Sequence, residues 1–242
     1  MRIPRFYHPG PIATDTEFSL ASEAAHHAST VLRLKANQPI VLFNGDGNEY
    51  SGQIISIARR EVTVEMDACL SLNVESGLRL HLAQGVSKGD RMETVLQKSV
   101  ELGVTEITPV ITERCTVKLD EKRWEKKFQQ WQKIIIGACE QSGRNTLPTL
   151  HPAQTLNQLL ADSTRQQRLV LAPGATAALS RAPYCTDGYR LLIGPEGGLS
   201  ESEVHQATES GYEAVSMGPR ILRTETAAIA SLSLLQGIHG DL

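Results

Sequence analysis

The chain has 242 residues, 40% hydrophobic and 21% charged, with 24 Lys and Arg against 27 Asp and Glu for a net charge of −3. That is the size and balance of an ordinary globular chain, one large domain or two modest ones, and without a global basic excess any contact with nucleic acid must come from a local patch. No apolar stretch is long enough to span a membrane, the amino terminus lacks a signal-peptide apolar run, and the scattered Cys69, Cys115, Cys139 and Cys185 form no CxxC pair, a pattern expected of reduced thiols in a cytoplasmic protein without a zinc or redox site.

Residues 1–72 read as β-rich. A short helix over residues 22–32 has Ser22 at its N-cap. An apolar strand follows at 39–43. Asn44-Gly45-Asp46-Gly47-Asn48 then reads as a hairpin turn, because Gly and Asn accept positive φ cheaply. Residues 49–57 alternate as the return strand, Arg59-Arg60 turns the chain, and 61–66 alternate again. Together these predict a small β-barrel with one helix, ended by a linker over 71–77.

Residues 73–242 alternate strand and helix. Strand 78–84 leads to helix 91–102, closed by Gly103, and then to strand 107–111 and a long helix over 122–141. Trp124 and Trp131, seven apart on that helix, read as packing. Strands 168–172 and 190–193 lead into loops. Helix 200–210 opens on a Ser200/Glu203 capping box and closes on Gly211, strand 213–217 follows, and the last helix spans 224–239. Such alternation predicts a mostly parallel sheet with helices on its faces.

Two loops carry the chemistry. Gly194-Pro195-Glu196-Gly197-Gly198 lacks both the Gly-Lys-Ser/Thr of a P-loop and a GxGxxG fingerprint, so neither a nucleoside triphosphate nor a dinucleotide fits it. Its paired glycines instead let a flat ligand approach the backbone. In Gly218-Pro219-Arg220-Ile221-Leu222-Arg223-Thr224-Glu225, Thr224 suits a helix cap and Glu225 the first turn, where a carboxylate meets the helix dipole. Capping leaves Arg223 unexplained. Both loops fall at the carboxyl ends of strands, where open α/β sheets bind ligands.

The pair GPEGGLSESEV and GPRILRTETAA resembles the SPOUT methyltransferase superfamily, and the whole chain resembles its RsmE family, the bacterial 16S rRNA uracil-N3 methyltransferases. Arg2-Ile3-Pro4-Arg5-Phe6-Tyr7, residues 27–33, Phe43-Asn44-Gly45, residues 88–93, 97–104, Glu113-Arg114-Cys115 and residues 140–144 match the family pattern in order. Met217 departs from it, standing where an aliphatic such as leucine is usual and expected to fill the same core position.

The resemblance implies an α/β SPOUT domain over 73–242 with a carboxyl-terminal trefoil knot, and a PUA-like RNA-binding barrel over 1–72. It implies S-adenosylmethionine at Leu171, Ala172, Pro173, Gly194, Pro195, Glu196, Gly197, Gly198, Met217, Gly218, Ile221, Leu222, Thr226 and Ala227. The substrate implied is N3 of a uridine at position 1498 of 16S rRNA, on the assembled 30S subunit, with a homodimeric enzyme and no metal. A uracil N3 must lose its proton before it can attack. A cation beside the flanking carbonyls stabilises the resulting charge, a role for Arg223, while Glu225, or a water it positions, accepts the proton. Arg2, Arg5, Arg33, Lys35, Arg91, Arg144 and Asn145 are the expected RNA contacts, with a second basic patch at Arg114, Lys118, Lys122, Arg123, Lys126 and Lys127. The alternatives are a different SPOUT target, such as a tRNA ribose, and an RNA-binding module without catalysis.

Overall fold

The computed structural model describes residues 3–58, 61–117 and 120–242. It forms two compact units, Met1–Glu75 with Cys139–Leu147, and Ser76–Ala138 with Pro148–Leu242. The short segment 139–147 therefore belongs with the first unit despite its place in the sequence.

The first unit contains β1 (Arg5–Tyr7), β2 (Glu17–Ser19), α1 (Ser22–His26), β3 (Pro39–Phe43), β4 (Glu49–Ala58) and β5 (Glu61–Leu70). The strands run in the order β1-β3-β4-β5-β2, with β1 parallel to β3 and the other pairs antiparallel. Alternate residues of β4 and β5 are buried, which is what a sheet with one wet face requires. Phe6, Ile40, Leu42, Ile54, Val64 and Met66 close on Ala24, Ala25 and Ala28 of the helical segment to make one core. The hairpin turn forms as its residues dictate: Asn44 Oδ1 accepts from the Asp46 N–H and Asp46 Oδ1 from the Asn48 N–H. The turn at Arg59-Arg60 lies outside the described residues.

The helix departs from expectation. Ala21 is its N-cap, with no side-chain cap bond, and Ser22 is already helical. After five residues it relaxes into π-helical turns over His27–Val31. There Ser29 Oγ donates back to the Ala25 carbonyl at 2.7 Å, and the Ser-Thr-Val run resists regular α packing.

The second unit contains β6 (Leu80–Gly85), α2 (Asp90–Glu101), β7 (Glu106–Ile111), α3 (Glu121–Ser142, whose last turn belongs with the first unit), β8 (Thr149–Leu150), β9 (Gln154–Thr155), α4 (Leu156–Ala161), β10 (Gln167–Leu171), β11 (Ala177–Ala178), β12 (Tyr189–Ile193), α5 (Glu201–Glu209), β13 (Glu213–Ser216) and α6 (Thr224–His239). Its eight-stranded sheet has the order β11-β13-β10-β12-β6-β7-β8, with β9 on β7, and every pairing is parallel. The central strands β6 and β12 are buried along their whole length, as strands covered on both faces must be. Ala83, Val110, Val170 and Leu192 pack under α4 and α5, while α6 lies against α2, β6 and β12. Among the described residues no helix is long and apolar enough to cross a membrane.

Candidate functional site

In the strand order, β13, β10 and β12 are neighbours, so their carboxyl-terminal loops meet. They enclose a cavity of about 290 Å³, near the lower end of the range for small-molecule sites. Leu171, Ala172 and Pro173 enter from β10; Gly194, Pro195, Glu196, Gly197 and Gly198 from β12; Met217, Gly218, Ile221 and Leu222 from β13; and Ala227 from α6. The expected cofactor residues thus converge, with one exception. Thr226 is exposed and does not line the cavity, because at the start of a helix it points away from Thr224 and Ala227. Met217 is half-buried on the cavity wall rather than in the core, and its sulfur accepts from Ser231 Oγ at 2.8 Å.

The glycines are there for close approach. A Cβ on Gly194 would lie 2.7 Å from Leu199 N and 2.8 Å from the Gly198 carbonyl carbon. A Cβ on Gly85 would lie 2.4 Å from Pro195 N, so the β12 loop rests directly on the end of β6. Gly198 N donates to Pro195 O at 2.9 Å and closes the turn. The loop is then tied sideways. Glu196 Oε1 accepts from Lys88 N at 2.8 Å and from Arg91 at 3.0 Å. Burial alone would raise the Glu196 carboxyl. Hydrogen bonds from its own N–H and that of Lys88, together with the Arg91 guanidinium, outweigh burial and hold the carboxyl below its ordinary value. Arg114 donates to Gly197 O at 2.9 Å, and buried Glu203 accepts from Glu113 N at 2.7 Å while completing the Ser200 capping box.

Arg223 is exposed at the N-cap of α6 without a side-chain cap bond, between the lining residues Leu222 and Thr224; neither it nor Glu225 lines the cavity itself. Thr224 is not that cap but the first helical residue. Its Oγ1 donates to Gly194 O at 2.7 Å and accepts from Gln84 Nε2 at 2.9 Å. Glu225 sits half-buried in the first turn, and its Oε2 is buried without a hydrogen-bond partner. Sequence reasoning missed Gln84 here, read Arg114 as part of a basic patch rather than as a cavity residue, and gave Thr224 a capping role only. Of these, Gln84 gives no local signal, since it reads simply as the end of an apolar strand.

The expected RNA contacts divide. Arg33 and Lys35 are exposed, and Arg91 is half-exposed on the cavity rim. Arg5, Arg144 and Asn145 are instead built into the first unit, a correction to their reading as free RNA contacts. Arg5 pairs with Glu49 and donates to Asn145 Oδ1 at 2.7 Å. Buried Arg144 pairs with Glu75, and Asn145 Nδ2 donates to Leu72 O at 3.0 Å. They hold segment 139–147 to the β-sheet unit. In the second patch Arg114 grips the glycine loop and Arg123 pairs with Asp120 at 3.5 Å. Trp124 and Trp131 pack ring to ring at 6.2 Å. Arg2 and Lys118 lie outside the described residues.

The lining fits a flat, nearly neutral heterocycle. Leu171, Ile193, Leu222 and Ala227 line the cavity with apolar surface, Gly194, Gly197, Gly198 and Gly218 with backbone, and of its charged lining residues Arg114 is already bonded to Gly197 O and Glu196 to Arg91.

The family model described as an RNA methyltransferase domain matches residues 74–236, and one described as an RNA methyltransferase PUA domain matches residues 20–67. The chain is similar to the ribosomal RNA small subunit methyltransferase E of Buchnera aphidicola from Schizaphis graminum, at 35% identity across 100% of this chain and 98% of that one. It is also 35% identical to the protein of the same name from Bacillus subtilis, over 90% of this chain and 89% of that one. Among solved structures, the Neisseria gonorrhoeae ribosomal RNA small subunit methyltransferase E bound to S-adenosyl methionine superposes with a TM-score of 0.93 at 38% identity, covering 100% of both chains. A Legionella pneumophila protein described as a methyltransferase, solved with the bound cofactor SAM, reaches 0.97 at 44% identity with both chains fully covered.

Proposed function

The chain belongs to the ribosomal RNA small subunit methyltransferase E family, and from that premise we propose that it transfers a methyl group from S-adenosylmethionine to N3 of a uridine in 16S rRNA, position 1498, on the assembled 30S subunit. The observation that carries this reading is the meeting of three loops, from β10, β12 and β13, on one backbone-lined cavity with Arg223 and Glu225 beside it. In this reading the second unit is a SPOUT domain whose carboxyl-terminal trefoil knot is formed by the two glycine-rich loops and the chain between them. The first unit is a PUA-like barrel that holds RNA through Arg33 and Lys35. The protein is a cytoplasmic homodimer whose subunits share a composite site.

When bound, S-adenosylmethionine supplies a methyl group already activated on sulfonium, so the chemistry calls for no metal. The cavity loops hold it, and their apolar walls exclude water from the reacting end. The chain must then handle one proton and one charge. Loss of the N3 proton spreads negative charge onto the uracil carbonyls. Arg223, an exposed cation at the cavity, faces that charge. Glu225 Oε2, a buried acceptor without a partner, receives the proton directly or through a water. Arg91, anchored by Glu196, orients the target nucleotide.

The test is transfer of labelled methyl from S-adenosylmethionine to 30S subunits lacking the modification, with the site mapped by reverse transcription. An N3 methyl blocks Watson–Crick pairing, so label with a single stop at the decoding-region uridine is expected. Label without a stop moves the target to a ribose or another base position, and absence of label removes the proposed substrate.

A further inference from the structure

Gln84, near the end of β6, is completely buried. A carboxamide without water must find its partners inside the fold. Its Nε2 lies 2.9 Å from Thr224 Oγ1, 3.0 Å from Gly85 O and 3.3 Å from Gly194 O. Two of these neighbours are carbonyl oxygens, which fixes the amide: flipped, Oε1 would face two groups that can only accept. Thr224 spends its one hydroxyl proton on Gly194 O, at 2.7 Å. Its lone pair therefore accepts from Gln84. A directed chain results, from the Gln84 amide to the Thr224 hydroxyl to the Gly194 carbonyl, in which each bond polarises the next.

This chain joins three segments: the end of β6, the glycine turn of the cavity, and the first residue of α6. Thr224 stands between Arg223 and Glu225. On the far side of the same amide, Oε1 is buried with no partner. An unpaired buried acceptor destabilises the fold, and an apolar side chain of the same shape would avoid that penalty. That cost offsets part of what the Nε2 hydrogen bonds contribute, so the amide's distinctive contribution is the direction it gives the Thr224 hydroxyl.

We infer that Gln84 is a positioning residue of the methyl-transfer site: through Thr224 it sets the start of α6, and with it Arg223 and Glu225, against the Gly194 turn. This rests on the methyltransferase reading of the cavity. A displacement of about 1 Å between reacting groups lowers a rate by up to about a hundredfold, so a clasp of this kind acts on turnover before it acts on folding.

The experiment uses the full chain and four variants, Gln84→Met, Thr224→Val, Thr224→Ser and the Gln84→Met/Thr224→Val double. Leu159→Ala, on the buried face of α4 and outside the cavity lining, serves as a purely destabilising control. Single-turnover methyl transfer at saturating cofactor, the S-adenosylmethionine Kd and Tm are read for each. Gln84→Met and Thr224→Val are each expected to slow transfer about 30-fold, with the double no worse than either, because both break one chain. Thr224→Ser keeps the hydroxyl and stays within about threefold of the parent, and Leu159→Ala lowers Tm without slowing transfer. Three results overturn the inference: Gln84→Met within about threefold of the parent, single losses that multiply in the double, or equal slowing by Leu159→Ala at an equal loss of Tm. If the parent itself transfers no methyl to 30S subunits, the proposed function has failed instead. The clasp is then judged on cofactor Kd, where the same non-additive pattern sustains it and additive losses refute it.

Discussion

The two ends of the eight-stranded sheet are built from opposite materials. At the carboxyl ends of β10, β12 and β13 stand glycine backbone, apolar walls and a cavity. At the amino-terminal end stand His81 on β6, Glu106 on β7, Arg190 on β12 and His151 just past β8, with their chemistry turned on one another. His81 Nε2 meets Thr108 Oγ1 at 2.8 Å, its Nδ1 accepts from Arg190 Nε at 3.2 Å, and His151 lies 2.9 Å from Glu106. Judged by residue type, this second end looks the more functional, since one nitrogen or oxygen atom from each of His81, Glu106 and His151 falls within 4.8 Å of the others. Geometry reverses that judgement. The lone pair a metal ion would need on His81 Nδ1 is occupied by an arginine, which also brings its own positive charge. A ligand needs open space and unspent donors, which the cavity offers and the histidine cluster does not.

The sharpest way to break this contrast is at Arg223. Arg223→Ala is expected to lower turnover on 30S subunits by about 10²–10³, the usual loss when one donor to a developing negative charge is removed, while the S-adenosylmethionine Kd stays within about threefold. Equal losses in rate and affinity would make Arg223 part of the cofactor wall and would leave the charge on the uracil without its cation.

The other end should answer to pH instead. Burial first, and then the Arg190 charge, push the His81 imidazole down to about 4 from an ordinary value of 6.5. Between those values the unfolded chain binds a proton that the folded chain refuses. Stability is therefore full above about pH 6.5 and falls as pH drops towards 4, by on the order of 3 kcal/mol at most. Glu106 adds to the fall in the same direction. Burial alone would raise its carboxyl, but the hydrogen bond to His151 and the nearby charges outweigh burial and hold it below its ordinary value. Denaturant unfolding at stepped pH, with His81→Gln as comparison, measures the His81 share. The variant should flatten the curve and leave methyl transfer at neutral pH within about twofold of the parent. A large loss of transfer in folded His81→Gln would join the two ends into one functional unit.

How far each region was legible in the sequence follows from the same contrast. The cavity loops stood out because backbone-lined sites write themselves in glycine and proline, residues whose placement is local; of the residues expected there only Thr226 stays off the lining, while Arg114, Val204 and Ser216 join it unforeseen. The longer strands and helices of the second unit followed from period, down to the bounds of α6, but the six-residue α4 was missed, too short to show a helical period despite its Thr155/Gln158 capping box. Elements of two or three residues, such as β1, β2, β8, β9 and β11, were invisible because no alternation can be read over so short a run. Gln84 and Thr224 are 140 residues apart, and capping was the only local role Thr224 offered. Gly194→Ala probes the legible part. Its Cβ would meet backbone at 2.7 Å, which cannot give way as a flexible side chain would. Calorimetry is expected to show cofactor affinity reduced about tenfold, since every lining group on that loop shifts together. Unchanged affinity would mean that the turn does not form the binding surface.

The smallest expected effects concern RNA, and here the sequence misled most, because an arginine looks the same whether it faces solvent or a glutamate. Arg33 and Lys35 are exposed, whereas Arg144 is buried against Glu75. Arg33→Ala and Lys35→Ala should each weaken 30S binding a few-fold and reduce the slope of log K against log salt by about one, with Tm unchanged, because each phosphate contact releases roughly one counterion. Arg144→Ala should do the reverse, lowering Tm by stranding the Glu75 carboxylate while the salt slope stays that of the parent. Titrations at several salt concentrations, paired with thermal unfolding, separate the two classes. An Arg144→Ala variant that lost salt dependence at full Tm would place that arginine on the RNA. Segment 139–147 would then be part of the RNA surface rather than a strap that holds the first unit together.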